Sequence, residues 1–136
     1  MCLTGEELGE EVQECILKCL DCQRECLRLV DHYRRLDGAR AYPERREGSE
    51  CPDTRLLLNC SEICATTARF MFRGSEFCPQ LCLLCADVCK SLARSCDKVL
   101  DDAEIQVCVA TCQRCAECCA RVAVLGSRTP SEGWPG

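Results

Sequence analysis

The sequence predicts an all-α fold, an antiparallel up-down four-helix bundle with cysteines lining its core, and three observations predict it. The stretch "CILKCLDCQREC" sets Cys15, Cys19, Cys22 and Cys26 at steps of 4, 3 and 4. An α-helix turns about 100° per residue, so these offsets return to nearly one direction. The same rhythm recurs at Cys78, Cys82, Cys85 and Cys89, and again at Cys108, Cys112, Cys115 and Cys119. A fourth, degenerate copy places Cys60, Cys64, Thr67 and Met71 at those offsets. Four such stripes bury one another most economically in a bundle, and short connections make consecutive helices antiparallel. A chain of 136 residues with 47% apolar composition suits one domain with its own core.

Helix 1 is expected over about residues 5–37. Thr4 followed by Glu7 reads as its capping box, and Gly38 as its terminator. Its inward stripe runs Leu8, Cys15, Cys19, Cys22, Cys26, Leu29, Tyr33. The polar stretch "GARAYPERREGSE" lacks periodicity and reads as the longest loop. Helix 2 is expected over about residues 52–73, with Pro52 in its first turn and Gly74 as its stop. Helix 3 follows over about residues 76–98, opened by Ser75 and Pro79; Cys96 lies seven residues beyond Cys89 and extends the stripe. Helix 4 is expected over about residues 102–125, from a capping box of Asp101 with Glu104 to Gly126. The bundle would thus occupy roughly residues 1–126, with "SRTPSEGWPG", 127–136, as a flexible tail. Off-stripe Ile16, Leu20 and Leu27 are left for seams or a subunit contact.

Charge narrows the partners. The net charge is -5, and Arg34, Arg35, Arg40, Arg45 and Arg46 sit among acids rather than on a basic patch, which argues against nucleic acid. The opening "MCLTGEELGEEVQEC" shows no basic segment followed by an apolar one, and no apolar run approaches the roughly 18 residues of a membrane span. A cytoplasmic chain with no membrane partner is expected. In that reducing compartment 18 cysteines are not a disulfide framework.

One buried cysteine is often simple packing. A register repeated on four helices, where Leu or Ala has better helix propensity, requires a reason specific to sulfur. Soft thiolates select Cu(I), zinc or iron–sulfur clusters. Zinc sites close at four ligands, usually on local knuckles, and ferredoxin spacing wraps a cluster in a loop; neither pattern occurs here. The helical rhythm instead spreads sulfurs over roughly 16 Å of axis in eleven residues. Cu(I) suits that array, since it accepts two or three sulfurs and cancels the charge of buried thiolates. On the order of one Cu(I) per cysteine is the expected load. A zinc or general soft-metal buffer stays open on residue type, as, further off, do an iron–sulfur protein and a redox protein whose thiols oxidise in pairs. No nucleophile with a base and no phosphate loop is present, so enzyme activity is not expected.

The CxxxCxxCxxxC register, repeated from Cys15 to Cys119, resembles that of the copper storage proteins, four-helix bundles with cysteine-lined cores. The resemblance implies storage of many Cu(I) ions, a cytosolic member of the family, and a homotetramer of bundles. Copper chaperones or copper enzymes are the protein partners expected with it. The departure lies in helix 2, where Met71 offers a thioether and Thr67 leaves a gap. The candidate metal ligands are therefore the twelve cysteines of the three full repeats together with Cys51, Cys60, Cys64, Cys96, Cys118, Met71 and His32. Two carry reservations. His32 projects about 100° off the stripe and reads first as a surface or seam histidine, and Cys118, adjacent to Cys119, divides evenly between bridging and packing. In the up-down arrangement Cys51, Cys96, Cys108 and His32 share one end, expected as a cysteine-rich mouth through which copper passes. Leu8, Phe70, Met71, Phe72, Phe77 and Val122 share the other, expected as an apolar plug.

Overall fold

The computed structural model describes residues 5–39, 54–96 and 102–126. They form four helices: α1 (Gly5–Ala39), α2 (Thr54–Arg73), α3 (Cys78–Ser95) and α4 (Ala103–Gly126). Each helix packs on two neighbours, α1 against α2 and α4, and α3 against α2 and α4. The sulfur contacts fix the directions. Along α1 from Cys15 to Cys22 the partners on α4 fall from Cys119 to Cys112, and along α2 from Cys60 to Cys64 the partners on α3 fall from Cys89 to Cys85. α1 therefore runs antiparallel to α4, and α2 to α3.

The helix ends are set by local chemistry. After α2, Gly74 takes φ 67, and Gly74 N–H and Ser75 N–H donate to Met71 O and Phe70 O at 3.0 Å each. This double closure satisfies the last carbonyls of α2 and needs a residue without a Cβ at the left-handed position. The chain then turns through Ser75, whose hydroxyl accepts from Phe77 N–H at 3.1 Å, so α3 starts at Cys78, later than expected. Asp102 caps α4: its carboxylate accepts Glu104 N–H at 2.9 Å. Tyr33 from α1 donates to the same carboxylate at 3.2 Å, tying two helices at that end. Gly38 does not stop α1, which runs on through it to Ala39. Thr4, Cys2, Cys51, Pro52, Asp101, the long loop and residues 127–136 lie outside the described residues.

Both bundle ends differ from expectation. Leu29, Leu57, Leu92 and Ile105 each stand three residues beyond a stripe cysteine and are at most 2% exposed, so the end expected to be a mouth also carries a layer of aliphatic side chains. Cys96 and Cys108 are buried there, and His32 is half-buried with its ring edge-on to Tyr33 at 5.2 Å. At the other end Val12, Met71, Cys78 and Val122 are buried, but Phe72 and Phe77 are 78% and 55% exposed. Phe72 follows Met71 by one residue and so turns about 100° away from the core, while Phe77 sits in the turn before α3. Phe70 is half-buried beneath the Arg73 guanidinium, 4.7 Å from its ring centroid. The apolar plug is therefore narrower than the sequence suggests, and it contains two sulfurs.

Candidate metal centre

The sixteen described cysteines are all buried, and none of them forms a disulfide. Helical periodicity brings them inward, and the antiparallel packing slots each stripe against its neighbours. Four groups result, and within each the sulfurs lie no more than 4.8 Å apart: Cys15, Cys118 and Cys119; Cys19, Cys85, Cys115 and Cys119; Cys22, Cys64, Cys89 and Cys115; and Cys22, Cys26, Cys60 and Cys112. Successive groups share Cys119, Cys115 and Cys22 in turn. The result is one continuous ladder rather than separate sites. Its rungs are short, with Cys19 to Cys119 at 3.5 Å, Cys19 to Cys115 and Cys22 to Cys112 at 3.6 Å, and Cys64 to Cys85 at 3.7 Å.

Protons in such a ladder are shared. Hydrogen bonds from Cys112 and then Cys115 hold Cys22 far below the usual thiol range, Cys112 and Cys22 do the same for Cys60, and Cys115 and Cys119 for Cys85. Cys115 is lowered to about 4, chiefly by Cys118 and Cys119, and Cys108 to about 5 by Cys112 and Cys26. The same contacts push their partners up, above all Cys115 raising Cys64 and Cys119, Cys112 raising Cys89, and Cys108 raising Cys26 and Cys112. The same sulfur–sulfur contacts that lower one thiol thus raise another, so the groups of the ladder titrate as a coupled set. A soft cation can replace those protons one by one without leaving bare buried charge.

Four described stripe cysteines, Cys78, Cys82, Cys96 and Cys108, are buried but join no group of three or more. Burial pushes the Cys78 thiol up to about 12, helped by Cys82 and opposed by the Ser75 backbone and Arg73. Met71 is buried at that end, on the stripe. His32 joins no ligand group among the described residues. The feature that periodicity left undecided is Cys118: its Sγ lies 2.9 Å from that of Cys15 and completes the terminal group. Its position one residue off the stripe turns it toward α1, which only the packing reveals.

Thr67, in the gap of the fourth repeat, is fully buried, and its Oγ1 is the buried side-chain oxygen or nitrogen without a hydrogen-bond partner among the described residues. An unsatisfied buried hydroxyl costs about 1–3 kcal/mol. Thr67→Val keeps the shape and removes the orphan, so the metal-free protein should gain roughly 1 kcal/mol in urea unfolding while its copper capacity stays unchanged.

Comparisons with known proteins agree with this geometry. The family model described as copper storage protein matches residues 4–124. The uncharacterized cysteine-rich protein YhjQ of Bacillus subtilis (strain 168) is 30% identical over 111 residues, 82% of this chain and 94% of that protein. Among solved structures, the Nmul_A1745 protein from Nitrosospira multiformis is 35% identical with a TM-score of 0.69, over 85% of this chain and 97% of that one. The Cu(I)-bound copper storage protein BsCsp3 is 28% identical with a TM-score of 0.70, over 83% of this chain and 98% of its own. A match across nearly the whole length, on a bundle whose stripes meet as a ladder of free thiols, shows that the chain belongs to the copper storage protein family.

Proposed function

We propose that this chain stores Cu(I) in bulk along its axial thiol ladder, a role of sequestration rather than catalysis. The observation that carries the reading is the sharing of Cys119, Cys115 and Cys22 between successive groups. Zinc closes at four ligands and so would fill the grouped sulfurs with only a few ions, whereas Cu(I) takes two or three bridging sulfurs and can occupy every shared rung. The Cu(I)-bound relative with the same fold supports the choice of metal.

The same reading extends to setting and partners. The protein works in the cytoplasm, receives Cu(I) from a copper chaperone and supplies copper enzymes. No helix among the described residues is long and apolar enough to cross a membrane. Assembly into a homotetramer is supported by the exposed Leu17, Leu20 and Leu27 on one face of α1, beyond what the bundle itself buries.

Anaerobic titration of the reduced protein with Cu(I) against a competing chelator tests the reading. The expected result is on the order of one tightly bound ion per cysteine, in bridged sites. Saturation at about four ions, with zinc held equally well, would replace it with discrete tetrathiolate zinc sites.

A further inference from the structure

Beyond copper storage, we propose that the same core has a second cargo, a thiophilic divalent cation of the zinc class, and that each bundle holds two such ions. One sits at Cys19, Cys85, Cys115 and Cys119, the other at Cys22, Cys26, Cys60 and Cys112. The pattern of shared sulfurs selects these two. Among the described residues the middle four-thiol group, Cys22, Cys64, Cys89 and Cys115, takes Cys22 from one neighbour and Cys115 from the other. The outer two groups have no sulfur in common. Both can therefore close around an ion at once, each with four unshared ligands.

The geometry of both groups fits. A tetrahedral zinc ion with its usual bonds to thiolate spaces the sulfurs about 3.8 Å apart. In the first group Cys19 lies 3.5 Å from Cys119 and 3.6 Å from Cys115, and Cys85 lies 4.0 Å from Cys115. In the second, Cys22 lies 3.8 Å from Cys60 and 3.6 Å from Cys112. No sulfur pair in either group is more than 4.8 Å apart, so small side-chain shifts bring each to the tetrahedral edge. The first site draws on α1, α3 and α4 and the second on α1, α2 and α4, so the two ions together tie all four helices.

Charge decides what happens between the sites. Four thiolates around a dication leave two negative charges, which are costly in a buried core unless hydrogen-bond donors meet them. The two thiols left over from the middle group stand where such donors are needed. Cys64 lies 3.7 Å from Cys85 and 3.9 Å from Cys115, and Cys89 lies 3.7 Å from Cys60 and 3.9 Å from Cys22. Each touches two ligands of one site and, keeping its proton, donates S–H to a thiolate there. A third ion, in the middle group, would have to bridge through Cys22 and Cys115 and strip the protons from Cys64 and Cys89, so divalent loading stops at two. Cu(I) brings one charge for each thiolate and meets no such limit.

The two cargoes exclude each other. Every ligand of both sites is also a sulfur of the ladder, so copper loading expels the divalent ions. Four Cu(I) ions replace one dication on four thiolates: the bonds to the dication break as the Cu–S bonds form, the charges balance, and no electron is transferred. The preference of soft thiolates for Cu(I) sets the direction of the exchange.

The test uses the reduced chain with Cys2→Ala and Cys51→Ala, which removes the cysteines outside the described residues. It is titrated anaerobically with Zn(II) against a competing chelator, and with Co(II), whose visible d–d bands report tetrahedral thiolate coordination. Two tight ions per chain with a tetrathiolate spectrum are expected; none, one, or three or more overturn the proposal, three being the bridged chain. In this background Cys26→Ala with Cys60→Ala should lower the count to one, because the groups that remain share Cys115. Cys64→Ala with Cys89→Ala should keep two ions, with affinity weakened roughly tenfold by the loss of a hydrogen bond to each charged site. Equal counts in the two pairs overturn the proposal. Adding Cu(I) to the zinc-loaded parent should release both ions to a zinc-sensitive dye, and zinc retained beside a full copper load overturns it. The counts on the parent stand whether or not the variants fold. A chain that takes up many Cu(I) ions but no Zn(II) loses this proposal alone, whereas one that takes up two Zn(II) and only a few Cu(I) loses the storage reading.

Discussion

Replacing Cys22 and Cys115 together by alanine is expected to lower the Cu(I) capacity by clearly more than two ions. Each of these sulfurs belongs to two groups, and between them they enter all three four-thiol groups. The double variant leaves Cys64 and Cys89 in one group, Cys19, Cys85 and Cys119 in another, and Cys26, Cys60 and Cys112 in the third. Bridged Cu(I) that relied on the missing sulfurs loses coordination in each, so a loss of roughly four ions is the expected scale. The control is Cys78→Ala with Cys96→Ala. Both thiols are fully buried but join no such group, and their loss should cost about two ions or fewer. Alanine is the best helix former, and each substitution removes a single buried sulfur, so both variants should stay helical. Anaerobic titration after a circular dichroism check decides the matter. Equal losses in the two pairs would mean that the sulfurs act independently, and the shared ladder would be wrong.

The bundle and its axial sulfurs were legible in the sequence because both follow from one regularity, the return of a 4-3-4 rhythm to a single helix face. Periodicity reports which residues point inward on one helix; it is silent on what the facing helix places opposite. Cys118 shows the limit. Its angle on α4 puts it at the edge of the stripe, and only the approach of Cys15 from α1 makes it a candidate ligand rather than a filler. The bundle ends show it again. Cys96 and Cys108 suggest a thiol-rich end, yet Leu29, Leu57, Leu92 and Ile105 are buried in the same register and make it aliphatic as well. The apolarity of Phe72 and Phe77 points to a plug, but their angle and turn position send them outward. Local end signals were similarly ambiguous: Asp101 and Asp102 are chemically equivalent caps, and the helical hydrogen bonding of α1 carries through Gly38.

Leu57→Ala should leave the metal-free protein short of stability and copper should restore it. Thiols fill most of the axial positions, and each is small and gains less on burial than an aliphatic side chain. The cohesion of the metal-free bundle therefore leans on its aliphatic layers, and Leu57 is fully buried in one of them. Leucine to alanine at such a site costs about 2–5 kcal/mol, against a typical total of about 5–15 kcal/mol for a domain. Without copper, the variant should unfold at clearly lower urea and temperature than the parent. The cost of the mutation is the same in the loaded protein as long as the affinity for copper is unchanged, since Leu57 is no ligand. What differs is the reserve. Each site held at a thousandfold excess over its dissociation constant adds about 4 kcal/mol, less whatever the thiols of the unfolded chain bind for themselves. Several such sites together tie α1, α2, α3 and α4 through their sulfurs. Circular dichroism at a temperature where the metal-free variant is partly unfolded should therefore show helix returning as Cu(I) is added, and fading again when a strong chelator removes it. A metal-free Leu57→Ala protein as stable as its parent would mean that the thiol core holds the helices by itself, and the aliphatic layer would be only a lid.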